Sequence, residues 1–157
     1  MHQYNTKILI YVHQAIRFII NFMNELNKKF AVLGHPISHS LSPKIHQYFA
    51  SQFGIHLDYR RIDVESKNFK KTLSELKREG YEGLNITLPL KNLAYEICDE
   101  LSLKAEQTKS VNTISIKKDK LFGDTTDGLG LVTDLISKNV SLENKKILVI
   151  GAGGASN

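Results

Sequence analysis

Apolar and polar positions alternate along most of the chain in two different periods. Short apolar or alternating runs predict strands, and stretches with apolar residues three and four positions apart predict helices. Strands are predicted at 29–34, 56–64, 81–89 and 145–151, and helices at 42–54, 66–80, 90–102 and 129–140. Because strands and helices alternate, the pattern favours an α/β fold with a largely parallel sheet.

Turn and capping residues support one of these helices and predict one further element. Ser42 stands at a cap position, Pro43 at the first helical position and Gly54 at the end, which are start and stop signals for a helix. Residues 111–128 predict a hairpin, since two β-rich runs flank the turn at 117–120.

Residues 1–28 form an N-terminal extension to this pattern. The extension is apolar, but His13, Gln14 and Arg17 interrupt it, so it is too short for a membrane span and a poor secretory signal. Its apolar residues fall at helical spacing, which predicts an appended amphipathic helix. The alternative is that the extension is not native structure and that Met23 is the true start.

A domain boundary is predicted between residues 128 and 145. Residues 29–128 contain a nearly complete α/β domain. Residues 129–157 contain a linker helix and then "KKILVIG", a predicted buried strand that begins another domain. The chain ends in "VIGAGGASN", in which Gly151 and Gly153 precede small residues. This fits G-x-G-x-x-small after a strand, a moderate signal for a nucleotide-binding loop.

Composition and charge add limits on partners. The chain has 157 residues, 41% hydrophobic and 24% charged, with a net charge of +5. Basic residues on the helix at 66–80 alternate with Glu75 and Glu79, which indicates a solvated face rather than a nucleic-acid site. We expect neither a nucleic-acid nor a membrane partner. Cys98 is the single cysteine, and we expect it to be a small buried residue in a cytoplasmic protein.

Polar residues with chemical potential follow the predicted strands. Ser40 and Ser42 precede a helix N-terminus, where hydroxyl and free N–H groups favour a carboxylate. The alternative is that one serine only caps the helix. Asn85 and Thr87 point to the same side at period two. These strands end at the edge of the sheet where α/β proteins bind ligands.

A lysine and two aspartates suggest acid/base chemistry. Lys91 begins the helix after "NITLPL", where its positive charge is electrostatically misplaced. Asp124 and Asp127 lie in "GDTTDG", and an aspartate close to Lys91 would make an acid/base dyad. The alternatives are an exposed surface lysine and ordinary turn aspartates.

Three histidines lie close together in the sequence, at positions 35, 39 and 46. Their spacing matches no standard zinc pattern and no cysteine is near them, so we predict no metal site.

Five stretches in a fixed order resemble the shikimate dehydrogenase family. They are "GHPISHSLSPKIH", "GLNITLPLK", "SVNTI", "GDTTDGLG" and "KKILVIGAGGAS", and the resemblance runs from Lys29 to Ser156. It implies a three-layer substrate-binding domain followed by a Rossmann domain that binds NADP. It also implies the reversible, NADP-dependent reduction of 3-dehydroshikimate to shikimate, on the route to aromatic amino acids.

The resemblance assigns roles to residues of this chain. Lys91 would be the acid/base group, paired with Asp127. Ser40 and Ser42 would bind the substrate carboxylate. The ring hydroxyls would be held by Asn85, Thr87, Asn112 and Asp127. The cofactor pyrophosphate would lie against the loop made by Gly151, Ala152, Gly153, Gly154 and Ala155.

The sequence departs from the family pattern at several points. Thr125 stands where the family typically has Asn, and Lys109 and Ser110 stand where Gly-Ala is common. The chain stops at Asn157, before the helix that should follow the glycine loop, so we expect a truncated enzyme that alone lacks useful NADP-dependent activity. Alternatives are a non-catalytic shikimate- or quinate-binding domain and a quinate/shikimate dehydrogenase that uses NAD. A homodimer is possible for a full-length enzyme.

Overall fold

A computed structural model describes residues 28–148 and 150–151 of the chain. The predicted N-terminal extension, apart from Lys28, therefore lies outside the described residues. The strands are β1 (Lys28–Gly34), β2 (Leu57–Asp63), β3 (Tyr81–Ile86), β4 (Glu100–Leu101), β5 (Thr113–Lys117) and β6 (Lys120–Asp124). The α-helices are α1 (Ser42–Gln52), α2 (Phe69–Arg78), α3 (Lys91–Ile97), α4 (Leu103–Thr108) and α5 (Asp127–Ser137), and a 3-10 turn at Ser66–Asn68 precedes α2.

The strands form one six-stranded sheet in the order β2-β1-β3-β5-β6-β4. β1 pairs in parallel with β2 and β3, and β4 pairs in parallel with β6. β5 is antiparallel to both of its neighbours, β3 and β6. The sheet is thus mixed and mostly parallel, which confirms the predicted fold class and the predicted hairpin.

Helices cover both faces of this sheet. Ala31 and Leu33 of β1 pack in one core cluster with side chains of α2, α3 and α4. Val32 of β1, on the opposite face, packs in a second cluster with Tyr59 and Ile37, beneath α1. Alternate residues of a strand point to opposite faces, so β1 supplies both cores. The result is a three-layer arrangement.

The helix predicted at 90–102 is wrong in its second half. α3 ends at Ile97, and Cys98 has extended backbone angles, with ψ of 139°. The Asp99 N–H donates to Leu121 O at 2.9 Å, and the Ser102 N–H donates to Gly123 O at 2.9 Å. These bonds to β6 replace those that a continuing helix would make, and Cys98 is half-buried against the core. A separate helix, α4, then begins with Ser102 as its N-cap.

The buried strand predicted at 145–151 is also wrong for the described residues. Residues 145–148 carry no strand, and none of the six strands pairs with them. Ile147, Leu148 and Ile150 are 68%, 84% and 92% exposed. An apolar run becomes a buried parallel strand only when neighbouring strands accept its backbone hydrogen bonds, and the sheet described above offers none.

Among the described residues, no helix has both the length and the apolar character needed to cross a membrane.

Candidate active site

A buried lysine and a half-buried aspartate form the centre of the candidate site. Lys91 is the first residue of α3 and Asp127 is the first residue of α5. Lys91 Nζ donates to Asp127 Oδ2 at 2.6 Å, and only 10% of the lysine side chain is exposed. The alternative of an exposed surface lysine is therefore wrong. The predicted dyad is present, and the turn between β6 and α5 brings its aspartate to the lysine.

Lys91 is buried because α3 begins directly on the core. Leu90 and Ala94 are fully buried on either side of it. The carbonyl of Lys91 accepts the Val111 N–H at 3.1 Å, which ties the start of α3 to the segment before β5. The backbone of Lys91 is therefore fixed on both sides, and its ammonium group is directed to Asp127.

Asn112 orients the aspartate of this pair. Its Nδ2 donates to Asp127 Oδ1 at 2.8 Å, so the two carboxylate oxygens have different partners. Asn112 Oδ1 accepts from the Thr113 hydroxyl at 2.9 Å and from the Thr126 N–H at 3.2 Å. A carboxylate held through both oxygens keeps a defined orientation toward the ammonium group.

Asn85 extends the same network across the sheet. Asn85 Nδ2 donates to Thr113 Oγ1 at 3.4 Å, and its Oδ1 accepts from the Tyr59 hydroxyl at 2.6 Å. Burial raises the pKa of Tyr59 to about 12, and a hydrogen bond with the Ser42 side chain opposes that rise. The phenol therefore stays protonated at neutral pH and donates to Asn85. The hydrogen-bonded chain runs from Tyr59 to Lys91, and we call it the polar network: Tyr59, Asn85, Thr113, Asn112, Asp127 and Lys91.

Tyr59 was not among the residues predicted for the site. The signal that could have found it is the alternation of β2, which places Tyr59 and Arg61 on one face.

The two serines lie side by side at the start of α1. Ser40 Oγ donates to Ser42 Oγ at 3.2 Å, and the Ser42 N–H donates to Ser40 Oγ at 3.3 Å. Leu41 occupies the N-cap position, so neither serine stands there, although Ser40 Oγ accepts the N–H of the first helical residue. Ser42 joins the polar network through Tyr59.

Thr87 lies in the turn between β3 and α3. Its N–H donates to Leu33 O at 2.9 Å, and its carbonyl accepts the Leu90 N–H at 2.9 Å. β3 ends at Ile86, so Thr87 follows the strand rather than continuing it as predicted. The turn nevertheless places Thr87 four residues before Lys91, at the carboxyl end of β3.

The remaining candidate residues have structural partners or fall outside the description. Asp124 accepts from the Ser102 hydroxyl at 2.5 Å and from the Thr125 N–H at 2.8 Å, so it braces the end of β6. Gly151 has φ of +117°, a conformation that favours glycine and fits a tight turn. Ala152, Gly153, Gly154 and Ala155 lie outside the described residues, so the structure gives the backbone conformation of Gly151 but not the rest of the predicted cofactor loop.

The three histidines do not converge. His35 pairs with Asp63 at 2.5 Å, and His46 Nδ1 lies 2.8 Å from the Ser42 carbonyl oxygen. Within residues 28–148 and 150–151, no three His, Cys, Asp or Glu side chains are placed to hold a metal ion.

A cavity of about 280 Å³ lies beside the polar network, on the α1 face of the sheet. Asn85, Thr113 and Tyr59 line it, together with His46, but Lys91 and Asp127 do not. The cavity and the charged pair are therefore separate features that share three polar residues. We place the candidate chemistry at the charged pair, because it brings a buried cation and a carboxylate into direct contact.

Fold and site together define an α/β domain whose polar residues gather beyond the carboxyl ends of its parallel strands. A family model described as the shikimate dehydrogenase substrate binding domain matches residues 32–114, just over half of the chain. The chain belongs to this family.

Relatives of known function and structure agree with this assignment. The chain is 49% identical over 129 residues to the shikimate dehydrogenase (NADP(+)) of Hydrogenovibrio crunogenus, covering 80% of this chain and 47% of the relative. A shikimate 5-dehydrogenase of Thermus thermophilus in complex with shikimate superposes with a TM-score of 0.77 at 38% identity, covering 82% of this chain and 49% of that one. A Listeria monocytogenes shikimate 5-dehydrogenase in complex with shikimate and NAD superposes with a TM-score of 0.76 at 30% identity. The match covers 83% of this chain and 45% of that one. The chain thus spans about half the length of these relatives.

Proposed function

We propose that this chain is the substrate-binding half of a shikimate dehydrogenase, which reduces 3-dehydroshikimate reversibly to shikimate. The observation that carries the proposal is the Lys91–Asp127 pair, at 2.6 Å and largely shielded from solvent, within a domain of this family. The relatives act on or bind shikimate according to their names, which supports the same substrate class for this chain.

Lys91 is proposed as the acid/base residue. When bound, the nicotinamide cofactor supplies the hydride to the carbonyl carbon of 3-dehydroshikimate. Negative charge develops on the carbonyl oxygen, and the Lys91 ammonium stabilises that charge and donates a proton to give the alcohol. In the reverse direction, neutral Lys91 accepts the hydroxyl proton. Asp127 keeps the lysine oriented in both directions.

The other polar residues are proposed to hold the substrate. Ser40 and Ser42 present two adjacent hydroxyl groups at the start of α1, where the partial positive charge of the helix dipole favours an anion, so together they suit a carboxylate. Asn85, Thr87 and Asn112, together with Asp127, would hold the ring hydroxyls. Asn85 and Asn112 are already aligned by their partners in the polar network, so binding would cost little side-chain ordering.

NADP is the proposed cofactor, because the Hydrogenovibrio relative is named as an NADP(+) enzyme. NAD is the second candidate, since the Listeria relative was solved with NAD. The proposed setting is the cytoplasm, and a homodimer is proposed for an enzyme of the relatives' length.

Titrating the 157-residue chain with shikimate tests the proposal by isotope-edited NMR. We expect saturable shifts at the amides of Ser40, Asn85 and Asn112. Lys91→Met keeps the alkyl stem but removes the charge, and we expect it to weaken binding about tenfold or more, the range for a lost charged hydrogen bond. Lys104→Met, at an exposed lysine of α4, is the matched control and should bind like the wild type.

Turnover is then measured by following NADPH or NADH absorbance with 3-dehydroshikimate present. Absence of saturable shikimate binding by the wild-type chain would overturn the proposal. Binding without turnover is the result expected of a substrate-binding half, and turnover by the 157-residue chain alone would contradict that description. The faster of the two coenzymes, if either reacts, identifies the cofactor.

A further inference from the structure

One face of β2 contacts the whole segment that carries the two serines. Tyr59, Arg61 and Asp63 are two residues apart, so their side chains point to the same face of the sheet, beneath α1. The segment opposite them runs from His35, after β1, to His46 in α1.

Each of the three side chains holds a different point of this segment. Asp63 Oδ1 lies 2.5 Å from His35 Nδ1, and the Asp63 carboxylate also accepts the backbone N–H of Ile37. Arg61 Nε donates to the carbonyl oxygen of Ser40 at 2.7 Å. The Tyr59 ring stacks on His46, with ring centroids 4.4 Å apart and an angle of 18° between the planes. The contacts therefore fall at the beginning, the middle and the end of the segment.

We propose that Tyr59, Arg61 and Asp63, the β2 clamp, are positioning residues that hold Ser40 and Ser42 in the geometry that binds the substrate carboxylate. Arg61 is the central member, because it bonds the backbone of Ser40 itself. This inference rests on the proposed function for the identity of the ligand.

The short segment before α1 needs such support. Between Gly34 and Ser42 its own backbone bonds include the Ser40 N–H to Ile37 O at 3.0 Å, and the His35 N–H bonds Leu88 O at 3.0 Å. The carbonyl of Ser40 points instead to Arg61. Removing that donor frees the peptide between Ser40 and Leu41, and with it the relative orientation of the two hydroxyls. The guanidinium also brings a positive charge to the loop proposed to bind an anion.

Arg60 provides a matched control for Arg61. It is the adjacent residue on β2, and its guanidinium is bonded to Asp58 at 2.7 and 2.8 Å rather than to the 35–46 segment. Arg61→Met and Arg60→Met remove the same charge and the same number of donors from neighbouring positions. Arg61→Lys retains the charge but not the geometry of Nε.

The first measurement is amide hydrogen exchange on the ligand-free 157-residue chain. We expect Arg61→Met to speed exchange about three- to tenfold at the Ser40 amide, the range for one lost hydrogen bond. Exchange in β1 and β3 should stay unchanged. Arg60→Met should leave the 35–46 segment unchanged. Equal exchange in Arg61→Met and wild type would overturn the clamp without any reference to a ligand.

The second measurement is a double-mutant cycle on shikimate affinity, with Arg61→Met and Ser42→Ala. If Arg61 acts through the serines, each single substitution weakens shikimate binding. The double variant should then bind shikimate only slightly more weakly than either single variant. Strictly additive losses would overturn the inference, because Arg61 would then act independently of Ser42. If the wild-type chain does not bind shikimate, the proposed function is overturned. The hydrogen-exchange measurement still decides whether the β2 clamp exists, because it needs no ligand.

Discussion

At the scale of single residues, environment separates side chains that look alike in the sequence. Lys91 is one of 21 lysine and arginine residues, yet its side chain is only 10% exposed, whereas that of Lys71 is 80% exposed. The misplaced positive charge at a helix start was the sequence signal for Lys91, and the contact with the half-buried Asp127 explains why the charge is stable there. The signal for Tyr59 and Arg61 is weaker, because the alternation of β2 places them on one face without marking either as functional.

The His35–Asp63 pair predicts a pH dependence in the clamp. The hydrogen bond with Asp63 raises the pKa of His35, and the same bond lowers the pKa of Asp63. A histidine whose pKa is raised by folding stabilises the folded state fully below its pKa in the unfolded chain. That stabilisation is lost as the pH rises through its pKa in the folded chain. A lowered aspartate pKa gives stabilisation that is present above the unfolded value and is lost as pH falls through the folded one.

The contact should therefore be strongest between about pH 4 and pH 6.5. An NMR titration of the His35 ring checks this. Asp63→Asn should return the His35 pKa toward its ordinary value. An unchanged His35 titration in that variant would contradict the assignment.

At the scale of elements, periodicity predicted those strands and helices that have one apolar face. The helix around Phe69, Leu73 and Leu76 and the 111–128 hairpin follow from pattern alone, since each buries a single continuous face. The segment after Ile97 did not, because its fate depends on bonds to β6, some twenty residues later in the chain. The spacing of apolar residues carries no information about partners so far along the chain. The helix predicted at 90–102 is therefore longer than the helix in the structure.

The close approach of β1 to the turn after β3 gives a stability prediction. A Cβ at Gly34 would lie 2.5 Å from Thr87 Cγ2 and 2.9 Å from the Leu88 carbonyl oxygen. Gly34→Ala should therefore lower the free energy of unfolding by about 1–3 kcal/mol, the usual range for overpacking, and displace Thr87. Urea denaturation measures the first effect and the Thr87 methyl shift the second.

Gly130→Ala is the control for Gly34→Ala. Nothing lies within 4 Å of a Cβ at Gly130, which is inside α5. Alanine there should raise the free energy of unfolding by up to about 1 kcal/mol, because glycine is a poor helix former. A loss of stability at both positions would show that contact with Thr87 and Leu88 is not the cause.

At the scale of the whole molecule, the site is assembled from segments far apart in the chain. The order of the strands brings Tyr59 of β2, Asn85 of β3 and Thr113 of β5 onto one network, although more than fifty residues separate the first from the last. The sequence placed Asn85 near the end of a strand and, through resemblance, predicted a role for it, but it predicted no role for Tyr59 or Thr113. It could not give the connections, because strand order and register decide them.

The attachment of α5 gives a prediction at this scale. None of its residues is buried, so Asp127 at its first turn is a main tie to the domain. Asp127→Asn keeps the shape but removes the charge, and we expect faster amide exchange throughout α5 with β1 and β3 unchanged. Asp134→Asn, which removes the exposed partner of Lys138 at the C-cap of α5, should have little effect. Equal protection of α5 in the wild type and Asp127→Asn would contradict this view.

The Lys91–Asp127 contact also limits which substitutions the domain can accept during evolution. The contact that would orient the proposed proton donor also ties α5 to the domain. A substitution of Lys91 or Asp127 that ended the proposed reaction would also loosen α5. Related proteins that no longer need the reaction but still need a fixed α5 would therefore have to retain both side chains. The pair can thus persist in lineages that have lost the proposed reaction.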